Sequence, residues 1–228
     1  MITLESIRVF GKATVGSFSG ELLFRSGLQV ISADNAFGKS LSATTIAWCR
    51  GAEAVFGLPD NDPSCFPLAV RDEIDLDGKS PSSVESSSCS MTLLHKDERR
   101  LRLTRAIKGD CTKIVAEEIA KDGTSRISSF AARYQTMQDE TGGFQRFFFA
   151  WLGWPRQKTV TFKGGEADIY AENLLPLFYI DQDEGWTDIQ SLQVTRYGQQ
   201  QIGEFAVEYL LGGLDATAAR VAQLRSPK

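Results

Sequence analysis

Residues 33–40 read Ala-Asp-Asn-Ala-Phe-Gly-Lys-Ser. The stretch follows the phosphate-binding loop pattern G-x-x-x-x-G-K-[ST], with Ala33 where the first glycine is usual. A loop of this kind leaves a strand and enters a helix, so its backbone N–H groups converge on an anion at the helix N-terminus. In that chemistry Lys39 reaches the β- and γ-phosphates and the Ser40 hydroxyl holds Mg²⁺. Alanine is the smallest replacement for glycine and costs little while φ stays negative. Just before the loop, Gly27-Leu28-Gln29-Val30-Ile31-Ser32 is a short apolar run that predicts a buried strand. Just after it, residues 40–49 carry apolar side chains at 43, 46 and 47 and predict an amphipathic helix.

Working outward, residues 2–10 place Ile2, Leu4, Ile7, Val9 and Phe10 in a strand-like pattern, and residues 15–24 predict a turn and a second strand. Residues 57–67 hold three prolines and two aspartates and predict a loop. Residues 68–78 alternate like an edge strand, and the serine-rich residues 80–90 read as a flexible surface segment. Residues 90–94 and 101–107 predict a hairpin turning at His95-Lys96-Asp97-Glu98. Its second arm gathers Arg99, Arg100, Arg102 and Arg105. A solvated strand face accounts for these arginines best, and a small positive stripe facing nucleic acid or a partner is the alternative. A further hairpin is expected from residues 114–117 and the Asp122-Gly123 turn. The aromatic run Phe144–Trp154 predicts a packed core helix ending before Pro155. Residues 174–182 predict a buried strand with a polar end, and the chain from Thr195 to about Leu224 predicts helix, interrupted at Gly212-Gly213.

Composition narrows the function classes. The chain has 228 residues, 42% hydrophobic and 24% charged, with a net charge of −4, so no global basic field draws it onto nucleic acid. Cys49, Cys65, Cys89 and Cys111 form no C-x-x-C pair, and His95 is the sole histidine, which argues against a zinc site. Unpaired cysteine spacing and the lack of an apolar signal core or membrane-length run predict a reducing, cytoplasmic setting with no membrane partner.

Gln182 supplies a second constellation. A glutamine ending a strand, well downstream of a phosphate loop and ahead of a long helix, matches the Q-loop of ABC-type ATPases. With both features the chain resembles the N-terminal half of an ATPase head of the SMC superfamily. The segment Pro176–Trp186 is similar to SMC-like ATPases of bacterial anti-phage systems, including Lamassu-type ones. The resemblance implies an α/β fold: a P-loop NTPase head lobe with a mixed β-sheet and a β-rich insert over residues 1–200, and a helix at the base of a coiled coil over 201–228. It implies ATP and Mg²⁺ as cofactors. Asn35, Ala36, Phe37, Gly38, Lys39, Ser40 and Leu41 would line the nucleotide, Lys39 and Gln182 would act in catalysis, and Ser40 and Gln182 would bind the metal. Arg8, Lys12 and Arg25 are weaker candidates for base, ribose or phosphate contacts. The implied partners are a C-terminal head lobe, a second head in a homodimer, DNA in the full assembly, and accessory or effector subunits.

ABC chemistry also needs a Walker B strand ending in Asp-Glu and a Ser-Gly-Gly signature loop. Neither occurs after residue 186, and Leu210-Leu211-Gly212-Gly213 lacks the signature hydroxyl. The expectation is therefore a truncated head, or half of a split protein, nearly inactive by itself. The alternatives are a self-contained P-loop kinase-like enzyme and a non-catalytic, nucleotide-dependent interaction module. A GTPase is disfavoured because no Asn-Lys-x-Asp occurs.

Overall fold

Two-residue alternation and tight polar turns dominate the first 131 residues, and they build one antiparallel sheet. The computed structural model describes residues 2–32, 39–76, 78, 80–132, 143–155, 157–163, 165–178, 199 and 201–212, with Lys39 described by its backbone alone. They fall into two compact units, Met1–Glu53 with Leu58–Phe144, and Ala54–Gly57 with Gln145–Lys228.

In the first unit β1 (Ile2–Ala13) pairs with β2 (Gly16–Leu23) and with β4 (Ser82–His95). Next come β5 (Arg100–Lys108), β6 (Lys113–Ile119) and β7 (Ser125–Ala131), giving the order β2-β1-β4-β5-β6-β7. The two-residue β3 (Glu73–Ile74) pairs with the start of β4. Every ladder among the described strands is antiparallel, so the mixed sheet expected from the sequence is corrected to an antiparallel one. The expected hairpins at 95–98 and 122–123 form there, because polar turn residues separate two alternating runs.

Other expectations are corrected as well. The serine-rich segment is not a surface linker: it opens β4, and Ser82, Ser87 and Ser90 are buried. Strands on both sides satisfy its backbone, and the Ser87 hydroxyl donates to the Val70 carbonyl, so small polar side chains fit an interior strand. Within residues 68–78, Leu68–Arg71 form a single helical turn, α2, with Pro67 at the N-cap and Val70 turned inward, and of the expected edge strand only Glu73–Ile74 (β3) pair. Residues 27–32 form no strand: no described strand pairs with them, and Leu28 and Val30 are 96% and 82% exposed. Residues 174–178 end α4 (Ala171–Leu174) and pass into a 3-10 turn over Leu175–Leu177, where Pro176 has no N–H to give a ladder.

The core of this unit lies on one face of the sheet. In β5 Leu101, Leu103 and Ile107 point inward in period two, opposite Met91 and Leu93 of β4 and Ile114 and Ala116 of β6. The helix α1 (Lys39–Trp48) lies against this apolar face through Trp48 and Cys49. Its buried side combines Ala47, Trp48 and Cys49 with Thr44 and Thr45 rather than a purely apolar stripe.

The second unit is built from α3 (Gly143–Leu152), the hairpin of β8 (Lys158–Val160) and β9 (Glu166–Asp168), α4, and α5 (Ile202–Leu210). The aromatic run does form the expected core helix. Phe149, Trp154 and Tyr209 make a cluster with ring centroids 5.9 to 6.2 Å apart, and the Tyr209 hydroxyl donates to the Pro155 carbonyl at 2.9 Å. Burial raises the Tyr209 phenol above its ordinary pKa, so it stays a donor. Of the helix expected from Thr195, the described part is α5, which is preceded by Gln199 in a β-bridge and Gln201 at φ +49 and stops ahead of Gly212 at φ +75, at the expected interruption. Gly213 and everything after it, where the base of a coiled coil is expected, lie outside the described residues. No helix among the described residues is long and apolar enough to cross a membrane.

Candidate functional site

The phosphate-loop residues Ala33, Asp34, Asn35, Ala36, Phe37 and Gly38 lie outside the described residues, as does Gln182. The helix on the C-terminal side of the loop is described. α1 (Lys39–Trp48) follows directly on the loop residues, in the order the motif calls for. Ser40 is exposed in its first turn, Leu41 is half-buried, and no acidic residue occupies that turn. An N-terminal turn of this kind carries unsatisfied N–H groups and the positive end of the helix dipole. The Ser40 carbonyl accepts from Thr44 Oγ1 at 3.0 Å, an ordinary intrahelical bond that leaves the Ser40 hydroxyl uninvolved.

The opposite end of α1 is fixed by an unusual group of side chains. Arg105 occupies the inward phase of β5 and is fully buried. Its guanidinium sits 3.9 Å over the Trp48 ring and makes a bidentate pair with Glu53 at 2.9 and 2.8 Å. It also donates to the Trp48 carbonyl at 2.9 Å, to Cys111 O at 2.8 Å and to Asn61 Oδ1 at 2.8 Å. All five guanidinium N–H groups therefore have acceptors. Burial by itself would raise the Glu53 pKa, but the hydrogen bonds and charge of Arg105 outweigh it and hold the carboxyl below its ordinary value. Trp48 Nε1 donates to Ala106 O at 3.0 Å, and its ring meets Phe66 edge-on at 5.5 Å. The C-terminal end of α1 is thus anchored by a cation placed where helix carbonyls favour one, while the N-terminal end faces solvent.

Arg105 is the residue that sequence reasoning misplaces, because it groups it with the surface arginines. Its position in phase with Leu101, Leu103 and Ile107 is the signal that separates it from them. The other members behave as a solvated face with acidic neighbours. Arg100 pairs with Glu5 at 2.8 Å, Arg102 with Glu117 at 2.8 Å, and Arg99 with Asp97 at 2.8 Å. No uncompensated basic stripe runs along β5.

Arg8 and Lys12 come together on the open face of β1. They line a groove of about 410 Å³ with Phe10, Ser17, Ser86 and Ser88 among its walls. The Arg8 guanidinium lies 5.3 Å from the Phe10 ring centroid, and Lys12 pairs with Glu85 at 2.8 Å, which raises the lysine's pKa. Arg25 comes after β2 in an exposed segment and does not line this groove. Of the two residues expected to hold Mg²⁺, only Ser40 is described. Its exposed hydroxyl in the first turn of α1 suits one metal ligand, and no cluster of three His, Cys, Asp or Glu side chains suited to a metal occurs among the described residues. Comparison of the sequence with protein-family models and with curated proteins returns no match.

Proposed function

We propose that this chain is the nucleotide-binding N-terminal lobe of an SMC-like, ABC-type ATPase head. The observation that carries the reading is the octapeptide Ala33–Ser40 followed by α1, whose first described turn carries no acidic side chain. An antiparallel sheet behind α1 and a rigid anchor at its far end suit a helix that presents its N-terminus to a polyphosphate.

In this reading the loop N–H groups and Lys39 bind and orient the phosphates, and Ser40 and Gln182 hold the metal. Mg²⁺ would neutralise charge on the phosphate oxygens. The Gln182 amide would also position water near the terminal phosphate. The general-base Glu and the signature Ser are not in this chain, so they would come from a C-terminal lobe and a second head. ATP-dependent pairing of heads acting on DNA, in maintenance, repair or anti-phage defence, is the activity this assembly would serve. Four free thiols agree with a reducing, cytoplasmic setting.

The test is ATP·Mg²⁺ binding and turnover by this chain, measured beside Lys39→Ala. Binding lost in the variant with its circular dichroism unchanged, and negligible turnover in both, supports the proposal. Wild-type affinity in Lys39→Ala refutes the phosphate-loop assignment. Robust turnover by the 228 residues alone refutes the incomplete-head reading in favour of a self-contained P-loop enzyme.

A further inference from the structure

The anchor at the end of α1 contains a second pair of reactive groups that the nucleotide reading does not use. Cys49 directly follows α1, and its Sγ lies 3.6 Å from Sγ of Cys89, in the middle of β4. Both residues are 0% exposed. The same Cys49 thiol is 3.7 Å from the Cys89 carbonyl. Two sulfurs at van der Waals contact, one on a helix end and one on a strand, need a small approach to reach the bonding distance of about 2.0 Å.

We propose that Cys49 and Cys89 are an oxidative modification site, a dithiol that closes to a disulfide and ties the end of α1 to β4. The step is a two-electron oxidation. Both S–H bonds break, one S–S bond forms, and two protons and two electrons pass to the oxidant. With diamide they reduce the azo N=N to a hydrazine; with a peroxide, the oxidant class available in a cell, they reduce the O–O bond to two water or hydroxyl products.

Proximity favours this pair over the other thiols, because the two sulfurs are already in contact. Burial and the neighbouring Cys49 push the Cys89 thiol well above its ordinary pKa, so Cys89 reacts slowly while it stays buried. Oxidant reaches the buried pair through transient opening of the structure. Cys65 and Cys111 are more exposed, and the Cys111 thiol instead donates to the Asn61 carbonyl at 3.2 Å.

The experiment is prolonged diamide treatment of the whole chain, alkylation of residual thiols under denaturing conditions, and non-reducing peptide mapping. The expected product is one intramolecular crosslink between Cys49 and Cys89, with Cys65 and Cys111 alkylated. Its partners lie 40 residues apart in sequence, so the crosslinked chain should melt roughly 5–10 °C higher than the reduced one. Cys49→Ala and Cys89→Ala should each abolish the crosslink and the rise in melting temperature. Recovery of Cys49 and Cys89 as thiols while added dithiothreitol is fully oxidised overturns the proposal, and so does a crosslink that uses Cys65 or Cys111 instead. Should either variant fail to fold, the wild-type peptide map still decides. None of these outcomes depends on nucleotide binding.

Discussion

Replacing Arg105 by methionine removes a cation that has all five donors engaged in the interior of unit one, and keeps most of its volume. Three costs arise together. Glu53 becomes a buried carboxylate with no counter-ion, although it keeps the Asn61 N–H at 2.9 Å. The Trp48 carbonyl, the Cys111 carbonyl and Asn61 Oδ1 each lose a charged donor. The Trp48 ring loses a cation stacked at 3.9 Å. Breaking a buried pair from one side costs about 3–5 kcal/mol, and orphaned acceptors and a lost cation–π contact add to it without summing fully. A loss of about 4 kcal/mol or more is expected, a large part of the roughly 5–15 kcal/mol that holds a domain together. Equilibrium urea denaturation at pH 7, followed by circular dichroism and fluorescence, measures it. The double variant Arg105→Met/Glu53→Leu removes both charges, so its loss should fall well below the Arg105→Met loss, with a coupling of about 2 kcal/mol or more. The pH dependence has a definite sign. In the wild type Glu53 is depressed on folding, so its contribution is present above the ordinary Glu range and is lost as pH falls through its folded value. In Arg105→Met burial raises Glu53 instead, and protonation then relieves the penalty. The gap between the two proteins should be widest near pH 7 and narrow below about pH 4. A loss under about 1 kcal/mol, or a double variant as damaged as the sum of the singles, would refute the reasoning.

Further outcomes rest on the same geometry. Gly51→Ala should destabilise more than Gly123→Ala, because a Cβ at 51 meets the Ala132 carbonyl at 2.7 Å as well as a φ of +65, whereas at 123 only the φ of +84 opposes it. Thermal melts should place the second change near about 1 kcal/mol and the first clearly above it. Gly11→Ala should cost about 1–3 kcal/mol, since its Cβ would lie 2.5 Å from the backbone carbonyl of Ser86, which the sheet holds in place. Under the proposed function, Gln182→Ala should weaken the Mg²⁺ dependence of ATP binding more than the affinity itself; an unchanged Mg²⁺ titration would count against the Q-loop assignment.

Legibility in the sequence tracks where local chemistry decides structure. Two-residue alternation broken by His95–Glu98 or by Asp122-Gly123 leaves few alternatives to a hairpin, and α1 is announced by the motif that precedes it. The serines of β4 carry no such signal. Their burial is imposed by β1 and β5 on either side, a tertiary effect that composition does not encode. Residues 174–178 show the converse: a short apolar run reads as strand or helix alike, and Pro176 settles it by lacking a donor. In the site, the residues expected to touch phosphate are legible as a motif, whereas Arg105, which anchors the helix that follows them, is obscured by three surface arginines beside it.

Residues 27–32 lead from β2 toward the phosphate loop. Their pattern is that of a buried strand, yet Leu28, Val30 and Ile31 are 96%, 82% and 42% exposed because no described strand lies alongside. Burying a leucine or valine contributes about 1.5–3 kcal/mol, so two exposed side chains that contribute nothing here are free to change. The double variant Leu28→Ser/Val30→Ser should therefore unfold within about 0.5 kcal/mol of the parent chain. Under the proposed function, the same variant should lose association with a complementing C-terminal lobe, since apolar strand residues ahead of a phosphate loop are the ones a completed sheet would cover. A loss of more than about 1.5 kcal/mol in the chain alone would mean that the segment is already buried, and the exposure on which this argument stands would be wrong.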